Sequence, residues 1–211
     1  MKPSNGFLLS HRSNHTFVYL STIIRKNSPM PDYAQDFYEI PEVVEENSEL
    51  RERILQLVEQ EPIPGKVTEG GDRMETLRNL LSEFFRGEIL LEELEQQIST
   101  DIPRHESEHR QNNRVFPEGW EERLARTQIS RFYNQAVLLT LREQGEERCF
   151  VPHSDNEDRD SPCTIHLAGE DADIDTLLDR LNRSYREGEW HDEVKIPDHP
   201  HCTHTVVPNQ T

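Results

Sequence analysis

The chain has 211 residues, is 33% hydrophobic and 30% charged, and carries a formal charge of −18. That charge excludes a general polyanion binder, because sequence-independent nucleic-acid affinity comes from Lys and Arg neutralising phosphates. No apolar run approaches the roughly 20 residues of a membrane span. The three cysteines cannot close a disulfide framework, and their interleaving with histidines favours metal ligation in a reducing compartment.

Lysine occurs only at Lys2, Lys26, Lys66 and Lys195, so the basic residues are nearly all arginine. A carboxylate-rich, lysine-poor chain fits a protein that works in very high salt, where charge repulsion is screened within a few ångströms. The 13 prolines and long polar stretches point to an extended, many-jointed molecule with a modest core. Residues 1–29 break the pattern. They hold Lys2, Arg12, Arg25 and Lys26 but no acid. The run "SHRSNH" interrupts the apolar letters, which argues against a targeting segment. The expected reading is translation from Met30, with a basic tail touching nucleic acid or a partner as the rival.

Residues 30–47, with Pro31 and Pro41, read as an extended lead-in. A helix is predicted over 48–60, where Leu50, Ile54, Leu55 and Val58 recur at helical spacing, and "EPIPG" stops it. A second covers 72–86, with Asp72 as N-cap and Glu75 as its capping-box partner, and ends at Gly87. A third, at 90–99, completes an αα-hairpin. Residues 101–116 are polar loop. The longest helix runs over 118–144, with Pro117 in its first turn and Gly145 after its end. Leu124, Ile129, Phe132, Ala136 and Leu139 form its apolar stripe; Arg126, Thr127, Gln128, Ser130 and Asn134 read as its wet face. After Gly145 come a short strand at "ERCFVP", an acidic loop at "HSDNEDRDSP", a helix from about Asp173, and strand candidates at "DEVKI" and "HTVVP". The chain shows no internal repeat and no glycine-rich phosphate loop.

Two Cys/His clusters carry the chemistry. Cys163 and His166 are three apart, and His199, Cys202 and His204 lie on a second segment. Zinc takes four N/S ligands in a tetrahedron, usually as two close pairs brought together by the fold. The best four are Cys163, His166, Cys202 and one of His199 or His204. Cys149 and His153 form a weaker pair; Cys149 reads better as a small buried hydrophobe. A surplus of ligands favours a closed structural site over a catalytic one, which keeps a position open. An HNH-like or zinc-dependent nuclease, with Glu170 or His201 as base, is one alternative. A zinc-stabilised regulatory or toxin-neutralising module, binding through the helices at 48–99, is another.

The ordered set "LARTQISRFYNQA", Gly145, a strand, "DSPCTIHLAG" and "PDHPHCTH" resembles the phage Mu protein F-like family of head-morphogenesis (minor capsid) proteins. That family shows A-R-T-E in a helix, then D-x-x-C-x-x-C ending in L-x-G, then P-x-H-P-x-C-R-C. Ala125, Arg126 and Thr127 match the first motif, with Gln128 in place of the acid. Asp160, Cys163, Leu167 and Gly169 match the second, and Pro197, His199, Pro200 and Cys202 the third. His166 and His204 stand where the family has second cysteines, and Thr203 where it has arginine. The resemblance covers about 50–208.

The resemblance implies a non-enzymatic minor component of a tailed-virus head, active in procapsid assembly near the portal. The implied partners are portal, capsid or scaffold proteins, with packaged DNA as a weak secondary contact and no membrane. The implied place is the capsid interior, after assembly in the host cytoplasm. With the acidic composition, a haloarchaeal virus or provirus is the expected source. The fold expected is α+β, mainly α. It has a lead-in at 1–47, a helical region at 48–116, and a domain at 117–208 with the long helix and a zinc-stapled subdomain.

Overall fold

A computed structural model describes residues 32–188 and 193–209; the basic segment 1–29 lies outside the described residues. The fold is mainly helical with one small sheet, the class expected. Its elements are α1 (Ile40–Glu46), α2 (Ser48–Gln60), α3 (Arg73–Phe85), α4 (Leu91–Asp101), α5 (Trp120–Glu143), β1 (Arg148–Val151), α6 (Pro162–His166), β2 (Glu170–Asp173), α7 (Ile174–Tyr185) and β3 (Val207–Pro208). Among the described residues no helix is long and apolar enough to cross a membrane.

The helix ends follow from local chemistry. The Asn47 side chain accepts from the Leu50 amide and caps α2. Gly87 and Gly145 adopt φ of 74° and 89°, which close α3 and α5 in the same way. The amides of Glu88 and Glu146 each reach back to a carbonyl five residues earlier, Glu83 and Leu141, at 3.0 Å. The capping box expected at Asp72 does not form: its side chain makes no cap bond. The reciprocal contact sits one helix later, where Glu93 accepts from the Leu90 amide at 2.9 Å.

The lead-in is not extended throughout. Asp36 accepts from the Tyr38 amide and starts a 3₁₀ turn at Phe37–Glu39 that runs directly into α1. Pro41 lies in the first turn, where a missing N–H costs nothing, and Ile40, Val43 and Val44 face inward.

α5 is the axis of the fold, packed by α2, α3, α4 and α7. Its apolar stripe is buried at Ile129, Phe132 and Ala136. The supposed wet face is largely buried too: Gln128, Ser130 and Asn134 are at most 4% exposed, and Arg131 is fully enclosed. Three polar side chains of the helix bond to distant backbone. Tyr133 Oη accepts from the Ala34 amide at 2.6 Å, Asn134 Oδ1 accepts from the Val206 amide at 2.9 Å, and Arg131 Nη1 donates to the Pro62 carbonyl at 2.8 Å. The Arg131 guanidinium also lies 4.6 and 4.5 Å from the ring centres of Phe132 and Tyr185.

The sheet has the order β2-β1-β3, antiparallel throughout, with Cys149 opposite Ala172 and Pro208. β2 was not expected from the sequence. It leads straight into α7, whose N-terminus Asp173 caps by accepting from the Thr176 amide at 2.7 Å. "DEVKI" makes no strand at its described positions, 193–196. One hydrophobic core runs from Ala34 to Val206, so the prolines joint a single packed body rather than an extended one. The closing segment, residues 203–206, lies between α5 and the stretch before α1. The Phe37 amide donates to the Thr203 carbonyl at 2.9 Å, and Thr205 Oγ1 donates to the Ala34 carbonyl at 2.6 Å.

Candidate metal centre

The first half of the site is α6. Ser161 precedes it in an extended conformation and Pro162 fills the first helical position. Ser161 Oγ lies 3.2 Å from Cys163 Sγ. Cys163 and Leu167 are one turn apart and both turn inward. A residue four on lies about 40° round a helix, and one three on about 60° the other way. His166 therefore falls on the exposed side of this short helix. The expected Cys163–His166 pair is not brought together.

The second half is a turn. The Cys202 amide donates to the His199 carbonyl at 3.0 Å, which places both side chains beside α6. Cys202 Sγ lies 3.7 Å from Cys163 Sγ and 3.7 Å from His204 Nδ1. Cys163, Cys202 and His204 are buried, their ligand atoms all lie within 4.8 Å of one another, and the group could hold a metal ion. His199 is half-buried and near enough to Cys163 to influence its thiol, but it lies outside this group of three. Of the two candidates for the fourth position, His204 is in the group and His199 stands beside it, whereas His166 is exposed and outside it.

The electrostatics suit a cation. The Cys202 thiol holds Cys163 far below the ordinary thiol range, aided by His199, His204 and Ser161 against the opposing effect of burial. The same contact, with burial, pushes Cys202 well up. Cys202 Sγ is the donor of the pair and Cys163 Sγ the acceptor, so metal binding requires the shared proton to leave. His199 is raised by its hydrogen bond to Cys163. For His204 burial works downward, but Cys163 and Glu157 outweigh it and the net direction is up.

The remaining expected residues lie elsewhere. Cys149 Sγ points at the Ala172 carbonyl within the sheet, and burial pushes its thiol up to about 12; it is the buried hydrophobe the sequence suggested. His153 is exposed and contacts Glu157. His201 is exposed, 3.8 Å from Glu122, and Glu170 is exposed at the start of β2, opposite Val151.

One residue at the site escaped sequence reasoning. Glu157 accepts from His204 Nε2 at 3.1 Å while its side chain is only 14% exposed. Surrounded by Asp155, Asp158 and Asp160, it carries no distinguishing signal in the sequence.

A scan against protein-family models and searches of curated proteins and of solved structures find no match to this chain.

Proposed function

We propose that the chain is a non-enzymatic structural protein of a tailed-virus head, with a zinc ion at Cys163, His199, Cys202 and His204. The observation that carries the zinc reading is the spacing of the donors. Zn–S bonds of about 2.3 Å and Zn–N bonds of about 2.0–2.1 Å give tetrahedral edges of about 3.6–3.8 Å. Both the Sγ–Sγ and the Sγ–Nδ1 separations are 3.7 Å. Two thiolates and two imidazoles are a donor set zinc takes readily, and four protein donors leave no position for a substrate. Bound there, zinc supplies a crosslink: Cys163 holds α6, while His199, Cys202 and His204 hold the segment that closes the fold against α5.

The head-protein reading rests on the ordered motifs. Its support within the fold is that each motif falls on a packed element: Ala125 and Arg126 on α5, Cys163 on α6, and Cys202 beside it. The protein's place would be near the portal during procapsid assembly, with capsid or scaffold partners. A halophilic virus is the source that the lysine-poor acidic chain favours.

The test is purification of native heads or procapsids from a producing culture, with mass spectrometry for this chain and metal analysis of the isolated protein. The expected result is the chain in the particles and one zinc per molecule. Its absence from particles would overturn the head-protein reading. Metal-dependent DNA cleavage that is lost in His201→Ala would overturn the non-enzymatic one.

A further inference from the structure

A carboxylate can only accept hydrogen bonds. Where a nitrogen of a neutral histidine lies within reach of one, that nitrogen carries the hydrogen and the other ring nitrogen presents its lone pair, the form a metal takes. At His204 the two nitrogens face different ways. Nε2 is 3.1 Å from Glu157 Oε2, and Nδ1 is 3.7 Å from Cys202 Sγ. The ring is 1% exposed, so water does not compete for either edge.

Glu157 is itself held. Its carboxylate accepts from the Ser154 amide at 3.1 Å and from His153 Nδ1 at 3.0 Å. Ser154 in turn donates through Oγ to Asp36, the residue that starts the turn before α1. The carboxylate is therefore fixed from three sides and cannot swing toward the sulfurs without breaking its other bonds.

We propose that Glu157 is the positioning residue of the metal centre, holding His204 in the tautomer that binds the metal through Nδ1. This rests on the metal reading above. Glu157 touches no metal itself. It removes the choice between two ring nitrogens and two ring orientations before the ion arrives, and its charge makes the imidazole a better donor. His153 braces the carboxylate from the solvent side, where its exposure lets water take its place.

The experiment uses the full chain loaded with zinc. Long-range ¹H–¹⁵N correlation spectra report which nitrogen of His204 is protonated, and competition with a chromophoric chelator reports affinity. The expected spectrum has Nε2 protonated and Nδ1 metal-bound. Glu157→Ala is expected to weaken zinc binding about 10–100-fold, as loss of such outer partners does. Glu157→Gln keeps an acceptor oxygen and should recover most of that loss with the same Nδ1 ligation; His153→Ala should stay within about twofold of the parent. A wild-type His204 that binds zinc through Nε2 overturns the proposal without any variant, so a poorly folding Glu157→Ala leaves it testable. Zinc binding unchanged in Glu157→Ala overturns it while leaving the metal reading intact. A wild-type chain with no zinc affinity overturns both.

Discussion

Replacing Asn134 with Ala separates the closing segment from the central helix. Asn134 is fully buried, and its Oδ1 is the acceptor for the Val206 amide at 2.9 Å. Its Nδ2 donates to the Ser130 carbonyl at 2.8 Å, which the helix already supplies with a donor, so that bond matters less. Alanine leaves the Val206 N–H buried without a partner, a cost of about 1–3 kcal/mol. The small void left by the amide adds about 1 kcal/mol, at the low end of core truncations. The expected total is about 2–4 kcal/mol, and each kcal/mol lowers Tm by about 2–4 °C in a chain of this size. Urea denaturation should show a lower midpoint with an unchanged slope. Hydrogen exchange locates the effect: the Val206 amide should lose protection beyond the global loss of stability. A loss below about 0.5 kcal/mol, the scale of a surface substitution, would refute the reasoning. So would a Val206 amide as protected as before.

Phe132→Ala, at a fully buried ring, should cost about 3–5 kcal/mol by the same denaturation assay; a loss under about 1 kcal/mol would place that face against solvent. Cys163→Ala or Cys202→Ala should abolish stoichiometric metal binding, whereas His166→Ala, on the exposed side of α6, should leave it unchanged when metal content is measured. The Cys149 thiol, pushed up to about 12 by burial, should resist alkylation in the folded chain with or without chelator. Cys163 and Cys202 should react once chelator removes the metal, and peptide mapping after alkylation distinguishes the three. Metal release should follow acidification, because thiolate and imidazole donors must be deprotonated to bind; melting curves with and without chelator should converge as pH falls.

The helices at 48–60, 72–86 and 90–99 were legible because their burial is one-sided, and one-sided burial writes a period of 3.6 residues into the sequence. α5 was legible as the long helix that organises the domain, but the burial of its polar face was not. Its buried polar residues bond to partners far away in the chain, Arg131 through Nη1 to Pro62 and Asn134 to Val206, and no local pattern encodes such pairs. α1 was hidden by Pro41, which reads as a breaker unless the start set by Asp36 is known. β2 was hidden because "EDAD" has an acid at three of four positions and buries only Ala172. At the metal centre the two cysteines were readable from their histidine neighbours. The fate of His166 depended on helical phase, set by which way Leu167 turns. Glu157 was one acid among several, singled out only by the fold that brings His204 to it.

Thr205 and Ala34 touch across 171 positions of sequence. Synthesis runs from the N-terminus, so the stretch before α1 leaves the ribosome long before its partners at Thr203 and Thr205 exist. α1–α5 then emerge with the Tyr133 hydroxyl able to take the Ala34 amide at once, but with the Asn134 amide prepared for a contact at Val206 still to be translated. Closing a loop of that length costs about 4–5 kcal/mol of chain entropy, a cost met only once residues 203–206 arrive and bring the contacts that offset it. A chain stalled or cut before this segment would expose the apolar flank of α5 and the inner faces of Ala34 and Phe37. Such a nascent chain is a natural client for chaperones and proteases.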